Sequence, residues 1–275
     1  MERNHIRLTQ LRAGFTALAL TLLVALPTSA VEWASLDGTA RGYPVMRDLS
    51  GRRLADGDFV QWVANDRLHV SLAYTFDGGR RVEEEVVFRQ RPQLAQESWA
   101  FRELQGKKSL RAFAIDFRTG VATAAKDDKG ETKHWSETLD VAEGQTFAGF
   151  GFTLAIRALR DRLVKGEVVT LKGVGFAPKP QLASVELSYA GRERVRMAGR
   201  TIDGDRFLVH PKIPAIAKLF VKVPDAQIWL TPPPTGFLRW EGALAEPSDP
   251  IIRVDVLPGG TSEAAAPVAT SGTRK

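Results

Sequence analysis

Residues 67–90 read RLHVSLAYTFDGGRRVEEEVVFRQ and predict a β-hairpin. Before the glycines, apolar residues alternate with polar ones, which is the period-two pattern of a half-buried strand. A two-residue Gly-Gly loop would place Tyr74 opposite Glu83 and mix the two faces of the hairpin. A three-residue loop over 77–79 instead pairs Tyr74 with Val82, and it suits a type I turn closed by a left-handed glycine. We therefore predict the longer loop, with these further pairs: Val70 with Val86 and Leu68 with Phe88.

In this register Glu84 falls on the apolar face of the hairpin, between Val82 and Val86 and beside Leu72. A bare buried carboxylate is costly, so three explanations are open. The strand is an exposed edge, the carboxylate is paired with an arginine, or it is a polar contact inside a ligand cavity, since apolar pockets commonly carry such a group. Glu84 is therefore a candidate ligand-binding residue.

Residues 182–199, LASVELSYAGRERVRMAG, predict a second hairpin, with a three-residue loop from Ala190 to Arg192 that places Leu187 opposite Val195. Strand candidates separated by Gly, Asp and Pro turn signals recur about every ten residues, which favours an antiparallel meander over βαβ units. The DGD sequence at 203–205 is interpreted as one of these turns. The other candidate strands are 58–64, 98–104, 109–118, 167–173, 205–210, 218–223, 226–231, 236–241 and 250–256.

Residues 150–165 predict one amphipathic helix that ends before Gly166. Such a helix needs an apolar surface, and the concave face of a curved sheet provides one. The expected fold class is mainly β, a curved antiparallel sheet (half-barrel) wrapped around this helix. We predict one domain over 31–257, with a subdivision near Gly144 as the alternative. On the helix, Phe152, Ile156, Leu159 and Leu163 share the apolar side, and Arg157, Arg160, Asp161 and Lys165 share the other.

The first thirty residues carry a basic leader, the apolar run FTALALTLLVALP and the small residues TSA, a pattern typical of a cleaved signal peptide. We therefore expect a periplasmic or secreted bacterial protein with no membrane-spanning segment after cleavage. Removal of the leader takes away three Arg and one Glu, so 35 basic and 31 acidic residues remain and the net charge falls from +6 to +4. These charges are interspersed, which argues against a nucleic-acid partner. Residues 258–275 are predicted to be a disordered tail.

No catalytic residue, metal site or cofactor is predicted. The chain has no cysteine, which excludes disulfides, thiolate metal sites and an acylated cysteine anchor. The AGFGF run at 148–152 lacks the third glycine of the dinucleotide-binding fingerprint. It also lacks the Gly-Lys-Ser/Thr sequence of a phosphate-binding loop. The histidines that follow the leader, His69, His134 and His210, are scattered over separate segments without metal-ligand spacing. No G-x-S-x-G sequence is present, so a hydrolase is kept only as a distant alternative.

Aromatic residues cluster at the start of the helix and along the candidate strands. Most would belong to a core, but a curved sheet crossed by one helix leaves a gap that such side chains can line. We expect one wall from the helix side, one from the strands, and Glu84 as the polar contact. The candidate ligand-binding residues are Phe147, Phe150, Phe152, Leu159, Leu163, Trp99, Phe117, Trp229 and Glu84.

The segments LAIRALRDRLVKGEVVTL, VELSYAGRERVRM and AQIWLTPPPTGFLRWEGAL resemble uncharacterised exported bacterial proteins distantly related to the periplasmic lipoprotein-carrier half-barrels. The resemblance covers roughly residues 147–256. It implies an antiparallel sheet curved around a helix, an apolar groove for acyl chains or other lipid-like molecules, and no catalytic residues. Two features depart from the pattern, because this chain has one predicted helix where the carriers use several as a lid, and it lacks the lipidated cysteine of membrane-tethered members.

These observations favour a monomeric, soluble periplasmic carrier that holds a lipid-like or other apolar molecule between sheet and helix. The alternative is a structural or assembly factor of the cell envelope that acts through protein–protein contacts, which a fully packed interior would favour. A hydrolase of unknown substrate is the second alternative.

Overall fold

A computed structural model of the chain describes residues 38–197, 199–212, 224–233 and 235–256. The predicted leader at 1–30, the predicted tail at 258–275 and the strand candidate at 218–223 lie outside these ranges. Within them the chain forms one helix, α1 (Gly151–Val164), one 3-10 turn (Asp77–Gly79) and sixteen strands. The strands are β1 (Ala40–Gly42), β2 (Val45–Asp48), β3 (Arg53–Ala64), β4 (Arg67–Phe76), β5 (Arg80–Arg89), β6 (Ala95–Gln105), β7 (Lys108–Asp116), β8 (Val121–Asp128), β9 (Glu131–Thr138), β10 (Thr146–Phe147), β11 (Val169–Phe176), β12 (Pro180–Met197), β13 (Arg200–Lys212), β14 (Ala226–Leu230), β15 (Phe237–Ala243) and β16 (Ile251–Asp255).

All strands belong to one sheet, which consists of two antiparallel meanders. The first meander runs from β2 to β9 and the second from β11 to β16, and β16 pairs with β2 to join them. Short β10 extends the second meander as a parallel neighbour of β11, and β1 pairs with β3. The outer strands β10 and β9 are not paired with each other, so the curved sheet stays open. The predicted fold class, mainly β with a curved sheet and one helix, is confirmed for the described residues.

The hairpin of β4 and β5 has the predicted register. The 3-10 turn occupies the three loop positions Asp77, Gly78 and Gly79, and Tyr74 pairs with Val82. The two other predicted pairs also form: Val70 with Val86 and Leu68 with Phe88.

The second predicted hairpin is wrong. β12 continues through the expected loop as one long strand, and the chain reverses only between Met197 and Arg200. A bulge between Tyr189 and Gly191 inserts an extra residue and bends the strand without ending its pairing with β13. The predicted DGD turn is wrong for the same reason, because residues 203–205 pair with this extended part of β12.

The helix has the predicted position, but its buried face is wider than the four-residue stripe. Thr153 and Leu154 are also buried, whereas Phe152 is only half-buried. Arg160 was expected on the solvent side, yet it is buried and forms an ion pair with Asp205 of β13. A charged partner on the sheet compensates the buried guanidinium, which the helical periodicity alone does not reveal.

The apolar side of α1 belongs to one core cluster with side chains from both meanders. A polar clamp reinforces this assembly at another place. Arg111 of β7 donates hydrogen bonds to Glu103 on β6 and to Glu246 and Asp249, which lie between β15 and β16. The guanidinium therefore links the first meander to the end of the second. Within the described ranges, no helix is long and apolar enough to span a bilayer.

Candidate ligand cavity

A cavity of about 280 Å³ lies between the concave face of the sheet and the first turn of α1. Both meanders contribute to its wall, because inward side chains of strands as distant in sequence as β2 and β16 meet there. The lining residues are Met46, Phe59, Leu72, Tyr74, Val82, Glu84, Trp99, Phe101, Gly149, Phe150, Phe152, Thr153, Val174, Phe176, Val209, Ala226, Ile228, Phe237, Trp240, Ala243, Leu244, Ala245, Ile252, Val254 and Val256.

Aliphatic and aromatic side chains form nearly all of this wall. Phe150 lies between Phe59 of β3 and Phe237 of β15, with ring centroids 5.7 and 6.3 Å away. On another side, the Trp99 ring stacks on Phe176 of β11 at 5.5 Å. The start of the helix therefore connects the two meanders through aromatic contacts around the cavity.

Glu84 is the carboxylate in the cavity wall, and two donors hold it in place. Its Oε1 accepts a hydrogen bond from Trp99 Nε1 at 2.6 Å and another from the backbone N–H of Phe150 at 2.7 Å. Phe150 is the N-cap residue of α1, and no side chain of the helix itself caps this end. Because the first amides of a helix lack intrahelical partners and favour negative charge, the carboxylate of β5 acts as a cap supplied by a strand.

Two glycines allow the backbone to approach these polar groups. Gly149 has φ +50°, and a Cβ there would lie closer than 3.0 Å to Glu84 Oε1 and to Trp99 Nε1. A Cβ at Gly151 would come equally close to the amide of Gln96. That buried amide both accepts from the N–H of Ala148 at 2.8 Å and donates to its carbonyl at 3.1 Å. The glycines of the AGFGF run therefore let the start of α1 pack closely against Glu84, Trp99 and Gln96.

Burial raises the pKa of Glu84, and the hydrogen bonds from Phe150 and Trp99 oppose that shift without cancelling it. Tyr74 lines the same cavity, and burial together with the nearby Glu84 carboxylate raises its pKa above its usual range. Its phenol therefore stays protonated at neutral pH. The cavity wall thus holds the carboxyl group of Glu84 and the hydroxyl groups of Tyr74 and Thr153 in an apolar surround.

Four of the nine predicted site residues line the cavity: Glu84, Trp99, Phe150 and Phe152. The expectation that Leu159 and Leu163 form a wall is corrected, because they lie two and three turns further along the helix and are fully packed in the core. Phe147 is also fully buried, with its ring 6.2 Å from Phe152.

The two remaining predicted residues, Phe117 and Trp229, are also absent from the wall. Phe117 follows the end of β7 and packs against the core. Trp229 faces the other side of β14 from the lining residue Ile228, as strand alternation requires, and belongs to a separate small cluster with Leu238. Its indole N–H donates to Glu193.

Tyr74 and Thr153 are polar lining residues that the sequence prediction did not include. Tyr74 could have been found, because the hairpin register places it on the same face as Glu84. Thr153 carries no such signal. Elsewhere, within the described parts of the chain, no group of three or more His, Asp and Glu side chains is arranged to hold a metal ion.

Among solved structures, the chain is similar to a bacterial protein of unknown function. No protein-family model matches the chain, and no curated protein matches it. The chain is similar to a beta-barrel-like protein of a domain of unknown function (DUF1849) from Brucella abortus, with a TM-score of 0.46 and 7% sequence identity. The alignment covers 83% of this chain and 98% of that one. The relation to the lipoprotein-carrier half-barrels stays a prediction.

Proposed function

We propose that the protein is a periplasmic or secreted carrier that binds an apolar small molecule in the cavity between sheet and helix. The observation that carries this proposal is the cavity itself, a preformed space of about 280 Å³ walled by apolar side chains. Protein interiors are otherwise close-packed, and ligand sites are typically apolar pockets with few polar groups. The signal-peptide pattern of residues 1–30 supports the proposed location.

The size of the cavity limits the ligand. Pockets for drug-sized ligands span about 300–1,000 Å³, so this cavity suits one alkyl chain or a small ring system. Burial of roughly 200 Å² of ligand apolar surface would contribute about 5 kcal/mol at 25 cal/mol per Å². Part of this free energy is offset by the lost freedom of the bound molecule. We therefore expect weak to moderate affinity for the ligand. We also expect the cavity to exclude a bulky lipid with several chains.

The test is uptake of the uncharged fluorophore N-phenylnaphthylamine by delipidated protein. We expect saturable fluorescence enhancement and competition by decanol. Ala226→Phe should fill part of the cavity and weaken probe binding about tenfold, since Ala226 lines it. The matched control is Ala73→Phe, which adds the same ring outside the cavity wall, because Ala73 alternates with the lining residues Leu72 and Tyr74. No uptake by a folded protein, or equal loss in both variants, would contradict the proposal.

A further inference from the structure

We infer that the ligand enters the cavity with a hydrogen-bond-donating head, a hydroxyl or an ammonium group, and that the cavity discriminates against a buried anionic head. This inference rests on the proposed function and specifies the chemistry of its ligand. It is carried by the identity of the polar groups in the wall and by the way Glu84 is bonded.

Among the residues that the structure describes, no basic side chain lines the cavity. Of its lining residues only Glu84 and Tyr74 are ionisable, and no Lys, Arg or His is among them. A buried charge needs a partner of opposite sign. The described lining residues offer no such partner for a carboxylate, sulfate or phosphate head, which would be placed beside the Glu84 carboxyl.

The bonding of Glu84 leaves acceptor capacity for a ligand. Both Trp99 Nε1 and the Phe150 N–H donate to the same oxygen, Oε1. These donors fix the orientation of the carboxyl, and Oε2 is the oxygen left for a ligand donor. Tyr74 is a diagonal neighbour of Glu84 on the same face of the hairpin, and both residues line the cavity, so its hydroxyl is a second polar group in the wall.

An anionic head carries a penalty in either protonation state of Glu84. If Glu84 is ionised, two like charges meet in an apolar surround. If Glu84 is neutral, its carboxyl must keep its proton while the anion is bound. The affinity for the anion therefore falls as the pH rises. An alcohol donates to Glu84 without either penalty, and an ammonium pairs with Glu84 once the carboxyl has released its proton. The structure therefore favours donor heads over anionic heads on the same alkyl chain.

The experiment compares decanol, decylamine and decanoate as competitors of N-phenylnaphthylamine at about neutral pH. We expect the alcohol and the amine to displace the probe at concentrations about tenfold or more below those of decanoate, since an unpaired buried polar group costs about 1–3 kcal/mol. Glu84→Gln keeps a carbonyl oxygen that can accept from Trp99 and Phe150, so the fold should persist. In this variant we expect the advantage of decylamine over decanoate to shrink about tenfold. Glu85→Gln, at an exposed position of the same strand, is the matched control and should leave the ranking unchanged.

The outcomes separate the two proposals. If no competitor displaces the probe, or the probe itself does not bind, the carrier function fails. If decanoate competes as well as decanol and decylamine, only the present inference is overturned, because the head then stays outside the cavity. An unchanged ranking in folded Glu84→Gln overturns it as well. If that variant does not fold, the ranking of the three competitors on the unmodified protein decides.

Discussion

The carboxylate of Glu84 accepts a hydrogen bond from the backbone amide of Phe150 at 2.7 Å, although the two residues are 66 positions apart in the chain. A side chain in the first meander thus caps the helix that precedes the second. The same carboxylate is the acidic group of the cavity wall. The position of the helix and the chemistry of the cavity therefore both depend on Glu84.

Glu84→Ala should destabilise the protein by about 2–3 kcal/mol, because it leaves the Trp99 indole N–H and the Phe150 amide without their acceptor at a partly buried site. The measurement is the free energy of unfolding from urea titration. Glu85→Ala is the control on the same strand. Its side chain is 62% exposed and pairs only loosely with Arg102, so we expect a change of less than about 0.5 kcal/mol. Equal effects of both substitutions would contradict the capping role.

Glu84 should also give the stability a specific pH dependence. Its pKa in the folded protein is raised above the ordinary 4.5. Between pH 4.5 and that raised pKa, the folded state therefore holds a proton that the unfolded chain has released. This contribution is complete below pH 4.5 and is lost as the pH rises through the raised pKa, by at most about 1.4 kcal/mol per pH unit. The free energy of unfolding of Glu84→Gln, measured at the same pH values, should lack this decline. If the unmodified protein instead became more stable relative to Glu84→Gln as the pH rises, the direction of the shift would be refuted.

Gly149→Ala should destabilise the protein by more than about 2 kcal/mol, since the new methyl group would meet Glu84 and Trp99 at a residue with positive φ. Probe binding should weaken with it because the helix start moves away from the cavity. Gly175→Ala is the matched control: its Cβ would meet no atom within 4 Å. We expect thermal unfolding of the control to stay close to that of the unmodified protein, and a tolerated Gly149→Ala would show that the close approach is not needed.

Asp205→Asn should cost about 3 kcal/mol, because it removes the buried charged partner of Arg160 and leaves only the exposed Asp161. Burial acts to raise the pKa of Asp205, but hydrogen bonds from Arg192 and Arg160 lower it overall. The stabilisation is therefore present at neutral pH and is lost as the pH falls through that lowered pKa. Asp203→Asn, two residues earlier and exposed, should change the free energy of unfolding by less than about 0.5 kcal/mol. Similar losses in the two variants would argue against a special role of the buried pair.

The first hairpin was predictable in detail because only one loop length keeps its apolar residues on one face. Its register also placed Glu84 among apolar neighbours, which made that residue a cavity candidate before any coordinates. In the second predicted hairpin, the alternation around Gly191 fits a turn and a bulge equally well. Only pairing with β13, a strand further along the chain, distinguishes them.

The cavity wall was predicted only in part for a related reason. Helical periodicity shows that Phe152, Leu159 and Leu163 share a side, but it cannot tell which of them faces a void. That depends on where the two meanders meet, a long-range relation set by the pairing of β16 with β2. The placement of Arg160 escaped prediction likewise, because its partner Asp205 lies 45 residues away on the sheet.

The pairing of β16 with β2 also constrains how the molecule comes into being. At the centre of the sheet, β2 pairs with Ile252 to Asp255 of β16. In a nascent chain that stops short of β16, the two meanders therefore lack the strand pairing that joins them. Contacts of such high sequence separation give a large contact order, and closure of the intervening loop must precede their formation. Assembly of the cavity is therefore a late event, and it awaits synthesis of β16.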